Sequence, residues 1–104
     1  VANIRLIREL GLVQQVRDTT GPYLAKLFET LKDHPLVGDA ETCGLMGALL
    51  LVKNKATGEP FPDEVSIGMV CRGHCFGNGL IMRAVGNRMI IAPPLVMTTA
   101  QIDE

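Results

Sequence analysis

No block of like charge runs through these 104 residues: ten Lys and Arg stand against eleven Asp and Glu, for a net charge of −1. The basic residues are scattered singly. The chain therefore offers neither a stripe for a nucleic-acid backbone nor a polybasic membrane patch. Long apolar runs are also missing. The longest, Leu45–Val52 and Met89–Met97, fall far short of the ~20 residues a membrane helix needs, and Pro93-Pro94 breaks the second. No signal-peptide pattern precedes the first helical segment. Cysteine is scarce and odd in number: Cys43, Cys71 and Cys75. Side chains four apart in one helix rarely reach disulfide geometry, so all three read as reduced thiols in a cytoplasmic protein.

Other familiar chemistry is absent too. Gly73, Gly77 and Gly79 close a helix, whereas a phosphate-binding fingerprint opens one after a strand. His34 and His74 are isolated, no Ser–His–Asp order stands out, and the acidic residues are dispersed. What is present is ordinary for one soluble domain with one core: 47% of residues are apolar and 20% charged.

The hydrophobic pattern predicts an α+β layout. Residues 2–10 read as a helix that Gly11 interrupts. A second pattern begins at Leu12, and Leu24, Leu27, Phe28 and Leu31 continue it at i, i+3, i+4, i+7. Pro22 either starts a helix there, with Thr20 as N-cap, or kinks a continuous one near Asp18. Pro35 ends it. Leu36–Cys43 and Leu45–Lys53 are strands joined at Gly44, the second buried and nearly continuous in Leu and Val. After a Gly- and Pro-marked loop, Asp63 caps a helix running to about Phe76, and Gly77-Asn78-Gly79 finishes it. Leu80–Ala84 and Met89–Ala92 are short strands around a Gly86-Asn87 hairpin turn, the second stopped by Pro93-Pro94. The order is α-α-β-β-α-β-β-α, with helices on one face of a small, mainly antiparallel sheet.

The ends read as those of a segment of a longer chain. The first helix has no capping residue before it. Thr98-Thr99-Ala100-Gln101 has capping-box form and opens a helix, yet only a turn and a half follows.

Two clusters bear on chemistry. Cys71-Arg72-Gly73-His74-Cys75 puts two thiols and an imidazole within one turn, and Cys43 is a conceivable fourth zinc ligand. The spacing matches no common structural zinc pattern, and cysteine often just fills a core, so no metal site is assigned. Arg83 lies in the otherwise apolar strand Leu80–Val85, on the face of Ile81 and Val85. It is either a solvated edge residue whose stem covers apolar surface, or it is aimed at an anion.

Residues 79–97, Gly-Leu-Ile-Met-Arg-Ala-Val-Gly-Asn-Arg-Met-Ile-Ile-Ala-Pro-Pro-Leu-Val-Met, resemble the C-terminal signature of class III aminotransferases of the ω-amino acid or amine:pyruvate branch. Gly21-Pro22-Tyr23-Leu24, His34-Pro35-Leu36-Val37-Gly38 and Cys43-Gly44-Leu45-Met46-Gly47-Ala48 extend the likeness upstream, and Thr98 to Glu104 looks like the start of the family's final helix. Two positions depart from the family: Asn87 stands where relatives often carry Asp, and Cys43 where many carry Arg.

The resemblance implies the C-terminal small domain of a fold type I pyridoxal-phosphate enzyme. Residues 1–12 would connect from the large domain, and residues 13–104 would form the small domain, cut within its last helix. It implies a homodimer in which the large domain holds pyridoxal 5'-phosphate and the Schiff-base lysine. Lys26, Lys32, Lys53 and Lys55 match no such motif, so this chain is expected to carry no catalytic or cofactor-binding residue and to be inactive alone. By resemblance Arg83 binds the substrate carboxylate, and small amines and keto acids are the substrates. The alternative is a stand-alone α+β module that binds an acidic metabolite at Arg83.

Overall fold

The computed structural model describes all 104 residues. The first helix, α1 (Ala2–Glu9), has an apolar stripe but buries none of it. Ile4, Leu6 and Leu10 are each at least half exposed. Gly11 ends the helix in the left-handed region, φ +59°, which glycine adopts without a Cβ penalty. The molecule is correspondingly elongated. Its long axis is 47 Å and its radius of gyration 15.5 Å, against about 13 Å for a compact domain of this length.

The next helical run is continuous. It comprises α2 (Leu12–Gln15), a wide π turn at Val16–Thr20 and α3 (Gly21–Leu31). Of the two readings for Pro22, the observed one is the continuous helix, with a π turn around Asp18. Proline lacks an N–H and crowds the carbonyl four residues back, and the π turn absorbs both defects. Gly21 is needed there, because a Cβ would sit 2.3 Å from the Val16 carbonyl oxygen. Thr20 is not an N-cap: it has helical dihedrals and makes no capping bond. It is 1% exposed and sits one turn before Leu24, which with Phe28 forms the buried stripe of α3.

Four strands follow: β1 (Val37–Cys43), β2 (Met46–Leu51), β3 (Arg83–Val85) and β4 (Arg88–Ile91). They form one sheet in the order β1-β2-β4-β3, every pair antiparallel. A register shift in β1 pairs Val37 with Leu51 and Asp39 with Leu50. The extra residue, Gly38, acts as a bulge that lets both Val37 and Ala40 turn inward. β3 is shorter than the sequence pattern predicts, since Leu80–Met82 lie outside the ladder. Its partner strand ends at Ile91, just before the two prolines that cannot donate to a ladder.

The helix after the loop begins later than the sequence suggests. Asp63–Val65 is only a 3-10 turn, Ser66 takes φ +50°, and α4 spans Ile67–Gly77. Asp63 makes no side-chain cap. Its carbonyl instead accepts the Ser66 N–H at 3.1 Å. The reason lies in packing, because α4 presses its first turn onto the β3–β4 hairpin. A Cβ on Gly68 would stand 2.3 Å from the Gly86 carbonyl oxygen.

Both α3 and α4 lie on one face of the sheet. There Leu24, Phe28, Val37, Ala40 and Leu45 form one core cluster, and Leu51, Met82 and Met89 form another. β2 is not buried on both sides, as its apolar run suggests. Gly47 and Leu51 are buried, Ala48 and Leu50 are half-buried, and Met46 is 60% exposed, so the other face lacks a cover. The last helix, α5 (Thr99–Asp103), has the full capping box: Thr98 Oγ1 accepts the Gln101 N–H, and Gln101 Oε1 accepts the Thr98 N–H. The Tyr23 hydroxyl donates to the Asp103 carboxylate and ties α5 to α3.

Candidate functional site

Arg83 opens the edge strand β3, and its side chain stands exposed on the uncovered face. The chain's ion pairs join Lys32 to Glu29 and Asp39, so the Arg83 charge is committed to no acid here. Its backbone, by contrast, is clamped. Ala84 points to the helix side and pairs with Met89, which is 0% exposed. Met82 is buried and receives the Cys75 thiol, Sγ to Sδ 3.7 Å.

The hairpin turn holds the strand end. Gly86, at φ +57°, supplies the positive φ that a two-residue turn demands. Asn87 Nδ2 donates to the Phe61 carbonyl at 3.3 Å, and the Asn87 carbonyl accepts the Leu51 N–H at 2.8 Å. A fixed backbone with a free guanidinium suits capture of a carboxylate. The fork is permanently charged and makes two parallel N–H bonds to the two oxygens.

The sheet register adds neighbours to Arg83. Ile90 lies directly opposite it, Ala48 opposite Ile90, and Glu41 opposite Ala48. These four form one row across the open face, because directly paired residues share a face. The sequence pattern singled out only Arg83. The two-residue turn alone implies the Ile90 pairing, whereas the places of Ala48 and Glu41 depend on pairings between strands distant in sequence.

No protein-family model matches the chain. A putrescine–pyruvate aminotransferase of Pseudomonas aeruginosa is 57% identical over 102 residues, which is 98% of this chain and 22% of that protein. A transaminase from directed evolution by ancestral reconstruction superposes with a TM-score of 0.92 and 37% identity, over 98% of this chain and 23% of its own. The chain belongs to the class III aminotransferases. A PMP-bound aminotransferase from Vibrio fluvialis matches with a TM-score of 0.84 and 32% identity, over 89% of this chain and 20% of its own. The chain thus spans about a fifth of the length of the family members it matches. Its α+β fold is that of the family's C-terminal small domain. Nothing in these likenesses favours a stand-alone binding module.

Cys71 and Cys75 pack against the Met82–Met89 cluster under the sheet, while Cys43 is exposed on the opposite, open face. No three His, Cys, Asp or Glu side chains converge as a ligand set. The Cys71 thiol is pushed up from its ordinary pKa, chiefly by burial and then by Cys75 beside it. A raised pKa keeps a thiol protonated and weakly reactive. His34 and His74 line an apolar groove of about 350 Å³ between α3 and α4, floored by Leu49, Leu51 and Phe61. Lys26 lies on α3, Lys32 directly after its last residue, and Lys53 and Lys55 in the loop after β2. Lys55 Nζ donates to the Lys32 carbonyl, at the end of the helix that packs on the face opposite Arg83.

Proposed function

We propose that this chain supplies the carboxylate-recognising wall of an aminotransferase that moves an amino group from an amine or ω-amino acid to pyruvate or a similar keto acid. The observation that carries this reading is the free guanidinium of Arg83 on a clamped edge strand, in a chain 57% identical to a putrescine–pyruvate aminotransferase. The carboxylate of the keto acid lies in the Arg83 fork and orients the reacting carbonyl. When an amine without a carboxylate enters, the open edge beside β3 lets the guanidinium swing aside.

Pyridoxal phosphate, which serves as electron sink in such reactions, requires a lysine and a phosphate cradle. None of the four lysines lies on a strand of the sheet, and Gly77 and Gly79 close a helix instead of opening one, so the chain's own residues do not fit that group. We assign the cofactor, its lysine and the residue facing the pyridine nitrogen to the rest of the full-length enzyme. On the same reading residues 1–12 lead in from the large domain, residues 13–104 form the small domain, and the enzyme is a cytoplasmic homodimer.

Steady-state kinetics of Arg83→Ala in the full-length enzyme test the proposal. The expected loss in kcat/KM for pyruvate corresponds to about 2–5 kcal/mol, as for truncating one partner of a buried charge pair. Simple amines should lose far less, and Arg83→Lys should not restore pyruvate, since an ammonium lacks the planar fork. Equal losses for pyruvate and simple amines would refute the assignment.

A further inference from the structure

A wall stands between Arg83 and the acid that shares its row. Glu41 and Arg83 are three strand steps apart on one face, with Ala48 and Ile90 between them. At about 4.8 Å per step the backbones are roughly 14 Å apart. An extended arginine, a hydrogen bond and an extended glutamate together cover that separation. The ground between is low on the Glu41 side. A hollow of about 270 Å³ lies over Ala48, lined by Glu41, Met46, Ala48 and Ile90. Arg83 does not reach it, and Ile90 is the side chain that closes the hollow on the Arg83 side. Ile90 is β-branched and so stiff at χ1, which makes it a fixed barrier. On the other side of Arg83 the sheet simply ends.

We infer that Ile90 is a positioning residue for Arg83: it keeps the guanidinium from folding back across Ala48 onto Glu41 and so holds it ready for a substrate carboxylate. This inference rests on the reading of Arg83 as the carboxylate-binding residue. Without the wall, Glu41 competes with substrate as an internal carboxylate. With the wall, the path back across Ala48 is closed and the path outward along the open edge stays free. A small residue at 90 therefore weakens carboxylate binding through Glu41, although neither residue touches substrate.

The test uses the full-length holoenzyme. Pyruvate KM and kcat are measured with one amine donor, and the Kd of acetate, an unreactive carboxylate, is measured by calorimetry. Ile90→Ala should raise the pyruvate KM and the acetate Kd about fivefold, the upper range for an exposed ion pair, with kcat little changed. Ile90→Val should restore both constants, and so should Glu41→Gln placed on the Ile90→Ala background. Glu41→Gln alone should change neither. A raised KM that Glu41→Gln fails to restore would overturn the inference, as would an unchanged KM in Ile90→Ala. Arg83→Ala runs alongside: if it raises KM while Ile90→Ala does not, the inference fails and the Arg83 reading stands. If Arg83→Ala itself leaves KM unchanged, the Arg83 reading falls first.

Discussion

The two faces of the sheet have opposite character: the paired positions of the helix side hold no charged residue, and those of the other side hold Asp39, Glu41, Arg83 and Arg88. On the helix side, contacts close to glycine dimensions. A Cβ on Gly47 would meet the Phe28 ring at 2.8 Å, and one on Gly68 would meet the Gly86 carbonyl at 2.3 Å. On the other side, Met46, Val85 and Arg83 are exposed, and Ala48, Leu50 and Ile90 are half-buried. The closed face fixes where the strands lie. The open face presents what those strands carry. Arg83 and Ala84 show the division at neighbouring positions, one side chain free and the next packed against the hairpin's buried partner.

The comparison breaks most readily on the closed face. Met89→Ala removes the side chain that is 0% exposed, and such truncations cost about 2–5 kcal/mol. Thermal unfolding of the full-length enzyme should show a corresponding fall in Tm. Gly68→Ala tests the helix-to-hairpin contact, which is backbone against side chain and has no flexible end to yield. Overpacking of this kind costs about 1–3 kcal/mol, again read as Tm.

The smallest effect concerns Cys71. Because burial raises its pKa, the folded state favours the protonated thiol. Its contribution to stability is present below the ordinary thiol pKa and is lost as pH rises through the raised folded value. Alkylation of Cys71 by iodoacetamide at pH 8, followed by mass spectrometry, should therefore run slower than for an unfolded control. A rate equal to the control would remove burial as the cause.

Local pattern made much of this fold legible. The Gly86-Asn87 turn and the alternation around it placed Arg83 on its face. The two-residue turn also sets Ile90 opposite Arg83, although nothing in the local pattern marks Ile90 itself. The Thr98–Gln101 capping box formed as its spacing predicts. Local signals mislead where distant contacts overrule them. Asp63 has the chemistry of a cap, but the close approach of Gly68 to Gly86 delays α4 to Ile67. Thr20 has the chemistry of a cap as well, but it lies within a continuous helix and on its buried side. The apolar run of β2 predicts burial on both faces, and nothing local reveals that one face lacks a cover. Glu41 shares a row with Arg83 only through the pairing of β2 with β4, across the long excursion that contains α4, and it lies outside the proposed carboxylate site.

The most direct test of the account pairs two readings on one variant: kcat/KM for pyruvate and Tm, both for Arg83→Ala in the full-length enzyme. Arg83 lies on the open face, so pyruvate turnover should collapse while Tm stays within the range of a surface substitution, about 0.5 kcal/mol of stability. Unchanged pyruvate turnover, or a fall in Tm matching that of Met89→Ala, would contradict the division between the two faces.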